Sequence, residues 1–371
     1  MSYYIYHHPD WPAFTWDAEA LTARLAEVRY LQGLMAGRME ALGFSARSEA
    51  VLQTLTQDVT KSTEIEGETL DTEQVRSSIA RRLGIDIGGL VPSDRHVEGI
   101  VEMMLDATQH FEQPLTAERL KAWQACLFPT GRSGMHQIIV GDWRDNTKGP
   151  MQVVSGPLGR ERVHFQAPDA DNLPHEMNLF IDWFNKQNDC DSVLKAGIAH
   201  LWFVTLHPFD DGNGRIARAI TDMQLARAEH SAQRYYSMSA QIRLERNAYY
   251  SILEKTQKGP LDITSWLRWF LDCLHNALKV SHEKLGTVLL RVRFWDVHAE
   301  TPLNERQRLL INKLQEGFEG KLTSSKWAKI AKCSQDTASR DIQDLVAKDI
   351  LKKEAAGGRS TSYTLLQPAA E

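Results

Sequence analysis

Cysteine is scarce in this chain: four occur in 371 residues, at positions 126, 190, 273 and 333, and no two form a Cys-x-x-Cys pair. That spacing excludes a disulfide framework and a zinc finger, and suits a reducing compartment. No stretch approaches the roughly 18 apolar residues of a membrane span. The opening Met-Ser-Tyr-Tyr-Ile-Tyr-His-His lacks the basic-then-apolar order of a secretory signal. Nor is there an excess of positive charge. Lys and Arg number 43 against 48 Asp and Glu, a formal net charge of -5, so any nucleic-acid role has to be local. A soluble, cytoplasmic protein without a membrane partner is expected. Internal repeats and low-complexity tracts are also missing, and the length suggests two or three domains.

What is present is mostly helical periodicity. Residues 1–16 are aromatic with Pro9 and Pro12, which suits an extended arm. From Asp17, a plausible N-cap, Leu21, Leu25, Val28, Leu31, Leu34 and Met35 recur at helical spacing up to Gly43. Further helices are predicted over 48–61, from Asp71 through Arg82, and as two within 95–128. Others are predicted over 173–188, 193–206, 215–230, 245–257 and 262–290. The 193–206 stretch is almost wholly apolar and should be buried. Gln152 to Phe165 carries two β-prone runs around Gly156-Pro-Leu-Gly159, a hairpin signature. It is the one convincing β-structure ahead of the C-terminal region.

One stretch concentrates chemistry: His207-Pro-Phe-Asp-Asp-Gly-Asn-Gly-Arg-Ile-Ala-Arg218. A titratable histidine precedes a tight Asp/Gly/Asn turn that feeds a helix. Such a turn aims free backbone N–H groups and the positive end of the helix dipole at one spot, which favours phosphate. Asp211 could hold a divalent cation there. Arg215 and Arg218, three apart, share a helical face and could hold further phosphates. Base, cation ligand, anion cradle and two guanidiniums together point to chemistry on a nucleotide.

These twelve residues fit the pattern His-x-Phe-x-(Asp/Glu)-Gly-Asn-Gly-Arg-x-x-Arg at every specified position, with Asp210 in a free slot. The chain thus resembles the Fic family, which transfers AMP from ATP to a hydroxyl side chain of a target protein, over roughly residues 95–275. The resemblance implies that His207 is the general base on an incoming Ser, Thr or Tyr hydroxyl. It implies a nucleotide-binding set of Phe209, Asp210, Asp211, Gly212, Asn213, Gly214, Arg215 and Arg218. Within it Phe209 anchors the loop, Asp211 binds Mg²⁺, the backbone of 212–214 forms the anion hole, Arg215 meets the β-phosphate and Arg218 the γ-phosphate. Relatives that transfer phosphate carry Lys where this chain has Gly214, so ATP with Mg²⁺ and AMP transfer are implied. The Tyr249–Tyr250 pair is implied to lie near the adenine.

Ser62-Thr-Glu-Ile-Glu66-Gly67, by itself an ordinary acidic helix end, resembles the family's inhibitory signature (Ser/Thr)-x-x-x-Glu-(Gly/Asn). Glu66 would then pair with Arg218. The 152–165 hairpin resembles the family's flap, whose strand (Val153, Val154, Ser155, Gly156) would pair with a segment of the target. Residues 1–85, including Tyr-x-Tyr-x-His-Pro-Asp-Trp-Pro, resemble an N-terminal domain that accompanies one branch of the family.

Past about His298 the pattern changes. Leu309, Leu310, Ile311 and Leu314 mark a helix, residues 323–348 read as helix-turn-helix, and two β-prone segments flank Gly357-Gly358. Residues 321–363 hold nine basic and five acidic residues, 9 − 5 = +4 on an acidic protein. Winged helix-turn-helix is the reading, with DNA or a protein as its partner. Asp336, Asp341 and Asp344 argue against DNA, because carboxylates on the same helix repel it.

The expected fold is mainly α: an N-terminal helical domain (1–90), a Fic core with a β-hairpin flap (91–290) and a winged helix (300–371). The expected function is AMP transfer to a target protein, restrained by Glu66, with self-modification and a homodimer left open. Two other readings stand beside it. In one, Glu66 aligns water to hydrolyse an AMP–protein bond. In the other, the chain is a DNA-binding regulator whose core senses nucleotide.

Overall fold

A computed structural model of the chain describes residues 4–40, 42–85, 90–156, 160–187, 189–315, 318, 320–354 and 361–366. It is mainly α, as the periodicity predicts. The helices are α1 (Ala18–Glu40), α2 (Phe44–Ile65), α3 (Thr72–Leu83), α4 (Arg95–Gln109), α5 (Ala117–Leu127), α6 (Leu173–Asn185) and α7 (Ser192–Leu206). They continue as α8 (Asn213–Glu229), α9 (Met238–Leu244), α10 (Arg246–Gln257), α11 (Thr264–Val297), α12 (Glu305–Gln315), α13 (Ser324–Ala331) and α14 (Gln335–Ala347). Three antiparallel strand pairs accompany them: β1 (Arg132–Ser133) with β2 (His136–Gln137), β3 (Gln152–Ser155) with β4 (Arg162–Gln166), and β5 (Leu351–Lys353) with β6 (Tyr363–Leu365). The predicted hairpin is β3–β4; residues 157–159 of its tip lie outside the described residues. No helix among the described residues is long and apolar enough to cross a membrane.

The chain divides into two compact units, Met1–His282 and Glu283–Glu371. The stretch expected as the N-terminal domain (1–90) and the expected catalytic stretch up to His282 fall in the first, residues 283–290 fall in the second, and α11 runs across the boundary. In the first unit α7 and α8 form the centre: every residue from Val193 to Leu206 is buried, and so is nearly all of α8. Phe180, Phe184, Trp202 and Phe203 stack around α7. A turn between two buried helices cannot drift, so residues 207–212 are held by packing on both sides.

Local sequence chemistry explains the ends of the elements around this pair. Asp71 caps α3 by accepting from the Glu73 and Gln74 N–H groups, and Gly84 closes it in the left-handed region. The N-terminal stretch, expected as an extended arm, is instead a 3-10 turn at Ile5–His7 and a run of turns through Pro12, with Thr15 then bridging Asp262. Tyr4 meets Phe165 of β4 edge-on, the Tyr6 hydroxyl donates to the Gln166 carbonyl at 2.9 Å, and Trp11 Nε1 donates to Glu176 at 3.0 Å.

The seven-residue α9 and the two-residue strands β1 and β2 were not foreseen, being too short to show a period. The start of α9 belongs to a buried charge cluster. Arg234 pairs with Asp222 of α8 at 2.7 Å and with Asp58 of α2 at 3.3 Å, and the Ser237 hydroxyl, which caps α9, donates to Asp58. This cluster ties α2 to α8.

A pH dependence of stability follows. Asp58 is held above the ordinary carboxylate range by burial and by the neighbouring Asp222. His200 is buried between Thr221 and Tyr249 and pushed down to about 3 by burial and by Arg218. As pH rises from about 3 towards 6.5, the unfolded chain holds a proton that His200 does not, and this stabilises the fold. Asp58 has the opposite sign: the folded chain holds the extra proton, so its contribution is lost as pH rises through its elevated value. The two offset between about 4 and 6.5, so the thermal midpoint should decline from about 6.5 to about 8, where the Asp58 contribution is exhausted. Asp58→Asn, which fixes the uncharged form, should flatten that decline in a series of melts against pH.

The second unit has its own core of Phe294, Leu310, Ile311, Leu322, Trp327, Ile342 and Leu345. Leu322 bridges Tyr363, so the stretch before α13 joins the β5–β6 pair. Helix, helix, turn, helix and ribbon follow in the order the sequence predicts, and the Leu322 bridge was not foreseen. Gly357 and Gly358 lie outside the described residues.

Candidate active site

His207 is the residue at which α7 stops. It takes φ 49° and ψ 57°, its N–H closing on the Phe203 carbonyl at 3.0 Å. A left-handed backbone is costly for a non-glycine residue and needs support from its surroundings. Arg144 supplies it. This buried side chain donates from Nε to the His207 carbonyl at 2.7 Å and from Nη2 to the Pro168 carbonyl at 2.6 Å, while its N–H reaches the Pro208 carbonyl at 2.9 Å. His207 Nδ1 lies 3.3 Å from the Val204 carbonyl. If Nδ1 carries the hydrogen, as that contact requires, Nε2 keeps the lone pair. Burial of the ring pushes its pKa down to about 4, with Arg144 acting in the same sense and the Val204 contact, Asp211 and Glu66 against it.

The turn is closed from within. Phe209 is fully buried against Trp143, with ring centroids 4.9 Å apart. The Asn213 side chain accepts from the Phe209 N–H at 3.0 Å and donates to the Phe209 carbonyl at 2.8 Å, so its amide clamps the loop. Asp210 accepts from the Ile139 N–H at 3.1 Å and from Lys148 at 2.7 Å, which ties the turn to the preceding loop. Gly212 sits at φ 90°, and a Cβ there would press on Leu127 and Phe128 at 3.0 Å. Only glycine meets both demands. Asp211 accepts from the Gly212 N–H at 2.6 Å, and its other oxygen takes the Ser133 hydroxyl.

At the start of α8 the two arginines are buried, each 2% exposed. Arg218 donates from Nε to the Ser62 hydroxyl at 2.8 Å, and from Nη2 to the Ser62 carbonyl at 2.9 Å and Glu66 Oε1 at 2.7 Å. Ser62 and Glu66 stand four apart at the end of α2 and so face the same way. Gly67, at φ 91°, turns the chain directly afterwards. The Glu66 carboxylate also lies over Gly214: a Cβ at that glycine would collide with Glu66 Oε1. The carboxylate therefore rests on the N-terminal turn of α8 itself, as well as on Arg218.

Glu68, not singled out in the sequence, pairs with Arg215 at 3.2 Å. Arg246 was also missed; it donates to the Ile65 carbonyl at 2.8 Å and holds the end of α2. Arg215 Nε and Arg218 Nη1 are buried with no hydrogen-bond acceptor among the described residues.

The tyrosine pair separates. Tyr249 is buried, its hydroxyl 2.8 Å from His200 Nε2, and its pKa is raised by burial. Tyr250 is 38% exposed and lies under Arg246, 5.3 Å from ring centroid to guanidinium. In the hairpin Val153 pairs with Phe165, Val154 with Val163 and Ser155 with Arg162, while Gly156 turns away at φ 105°. The hairpin is fastened to α10 by Glu254, which receives His164 Nδ1 at 2.7 Å and Arg162 at 3.2 Å; the far ring nitrogen of His164 lies 2.6 Å from the Ser155 hydroxyl. Glu254 is held down to about 2, chiefly by Lys258 and His164.

Comparison with known proteins agrees with this architecture. Residues 114–225 match the Fic/DOC family, and residues 4–85 match a domain of unknown function, DUF4172. The protein adenylyltransferase Fic of Drosophila willistoni is 26% identical over 239 residues, 63% of this chain and 43% of that protein. That of Drosophila mojavensis is 28% identical over 239 residues, 63% of this chain and 42% of that protein. The chain thus aligns with less than half the length of either relative. A Fic family protein from Desulfovibrio desulfuricans G20 has a TM-score of 0.55 at 20% identity, covering 97% of this chain and 99% of that one. Fic-1 (residues 134–508) from C. elegans has a TM-score of 0.50 at 19% identity, covering 72% and 74%. The fold is that of Fic proteins. Residues 114–225 thus form a Fic domain, with the motif at the turn between α7 and α8.

Proposed function

We propose that this chain transfers AMP from Mg-ATP to a hydroxyl of a target protein, and that Glu66 holds it in an inhibited form. The observation that carries the reading is the pair of buried guanidiniums at the start of α8. Each keeps a buried N–H group without an acceptor among the described residues, and each is paired with a carboxylate from the end of α2 or just past it, Arg218 with Ser62 as well. Two buried cations beneath a glycine turn at a helix N-terminus favour a polyanion over any neutral substrate.

His207 Nε2 would accept the hydroxyl proton while that oxygen forms a bond to the α-phosphorus and the bond to the departing pyrophosphate breaks. The N–H groups of 212–214 would hold the charge developing on the α-phosphate. Arg215 and Arg218 would hold the outer phosphates, and Arg144 keeps His207 in register through its backbone. Asp210 and Asn213 would act by positioning the turn.

Asp211 fits a magnesium ion bound with the nucleotide. It is a single half-buried carboxylate oriented by Ser133 and the Gly212 N–H, and Mg²⁺ commonly uses one or two carboxylates together with substrate phosphates. The cation would neutralise phosphate charge as the α-phosphorus is attacked. The hairpin, with Val154 48% exposed, would present its edge to a target segment.

The test uses ATP labelled at the α- or the γ-phosphate, with the chain and its Glu66→Gly form. Label kept on protein from the α-position alone supports AMP transfer. Label kept only from the γ-position would overturn it in favour of phosphate transfer.

A further inference from the structure

We infer that the second unit binds duplex DNA through the outer face of α14 and the β5–β6 ribbon. The sequence set three carboxylates of α14 against such a role, and the structure removes two of them from the face. Asp341 is buried and takes hydrogen bonds from Arg306 at 2.8 and 3.1 Å and from Asn304 at 3.1 Å. Asp344 receives Gln307 at 2.7 Å and Lys348 at 2.5 Å. Both carboxylates are spent joining α14 to α12 and to its own last turn. Glu354 is likewise taken up by Lys321 at 3.1 Å and by the Ser362 hydroxyl at 2.6 Å. Asp336 remains exposed in the first turn of α14, where the helix dipole favours a negative charge.

The face opposite this buttress is polar and well suited to base edges. Ala338, Ile342 and Leu345 point into the core, whereas Gln335, Arg340 and Gln343 are exposed and Ser339 is half-buried. Arginine and glutamine are the side chains that pair with guanine and adenine edges in the major groove. Around them Lys329 and Lys332, on α13 and in the turn, and Lys352 and Lys353 on β5 are exposed and make no ion pair among the described residues. Unpaired lysines flanking a polar helix and ribbon match the phosphates that border a groove. A protein partner fits less well, because none of the large exposed apolar side chains lies on α13, α14 or the ribbon.

The test is fluorescence anisotropy of a labelled random-sequence duplex with the full chain, titrated with salt. Four lysine–phosphate contacts give a log–log slope of about −3.6, roughly a 150-fold loss of affinity between about 50 and 200 mM. The double change Lys352→Glu and Lys353→Glu should at least halve that slope, while its melting curve and its AMP incorporation stay those of the parent. Absence of duplex binding at the lowest salt would overturn the inference. So would an unchanged slope in the double variant, or binding to single-stranded RNA with the duplex left free.

Discussion

The Glu66→Gly chain should incorporate AMP roughly ten- to a hundredfold faster than the unaltered chain, measured with α-labelled ATP. The Glu66 carboxylate does two things at once: it bonds Arg218 at 2.7 Å and rests on the N-terminal turn of α8 over Gly214. A hydrogen bond to a charged group contributes about 1.5–3 kcal/mol net, and each 1.4 kcal/mol is tenfold in population. In the proposed mode of binding a nucleotide would have to displace this contact to seat its phosphates, so the contact would shift the population of competent sites by about that ratio. Glycine removes it without leaving a group to refill the space. Glu68→Gln should do far less, no more than about fivefold, because Glu68 is 48% exposed and its pairing with Arg215 is screened by water. A rise in hydrolysis of AMP–protein bonds rather than in their formation, or equal effects of the two changes, would count against Glu66 as the restraint.

The hydrophobic periods placed most helices because each element buries one face, or in α7 nearly all of it, and a buried face leaves a period in the sequence. The short α9, β1 and β2 left none. The 207–218 turn was legible since its constraints are local: Asn213 clamps Phe209 four residues back, and Gly212 takes a backbone angle no other residue adopts cheaply. Long-range partners carried no such mark. Arg144 braces His207 from 63 residues away, and Glu68 reaches Arg215 across 147. A single arginine in a polar loop and a single glutamate past a helix end look the same whether solvated or engaged. Aspartates were legible in kind but not in direction. Asp341 and Asp344 sit on one helix with Asp336, and only packing reveals that two of them are turned towards α12.

His207→Ala, made in the Glu66→Gly chain so that the starting rate is high, should lower AMP incorporation by about 10²–10⁴, the usual worth of a positioned general base. Nucleotide affinity should change little, because no phosphate ligand named above is touched. His207 holds a left-handed backbone, which alanine adopts with strain and asparagine tolerates better. His207→Asn therefore serves as the folding control and should lose activity to a similar extent. The ring's pKa of about 4 also sets the pH profile. In the proposed mechanism the neutral form is the base, so activity should be present above that value and lost as pH falls through it, and the acid limb of kcat/KM should lie well below the ordinary 6.5. Glu66 raises the pKa of His207 through its charge, so its removal should move that limb lower still. An acid limb near 6.5 that ignores Glu66 would place the proton-accepting group elsewhere.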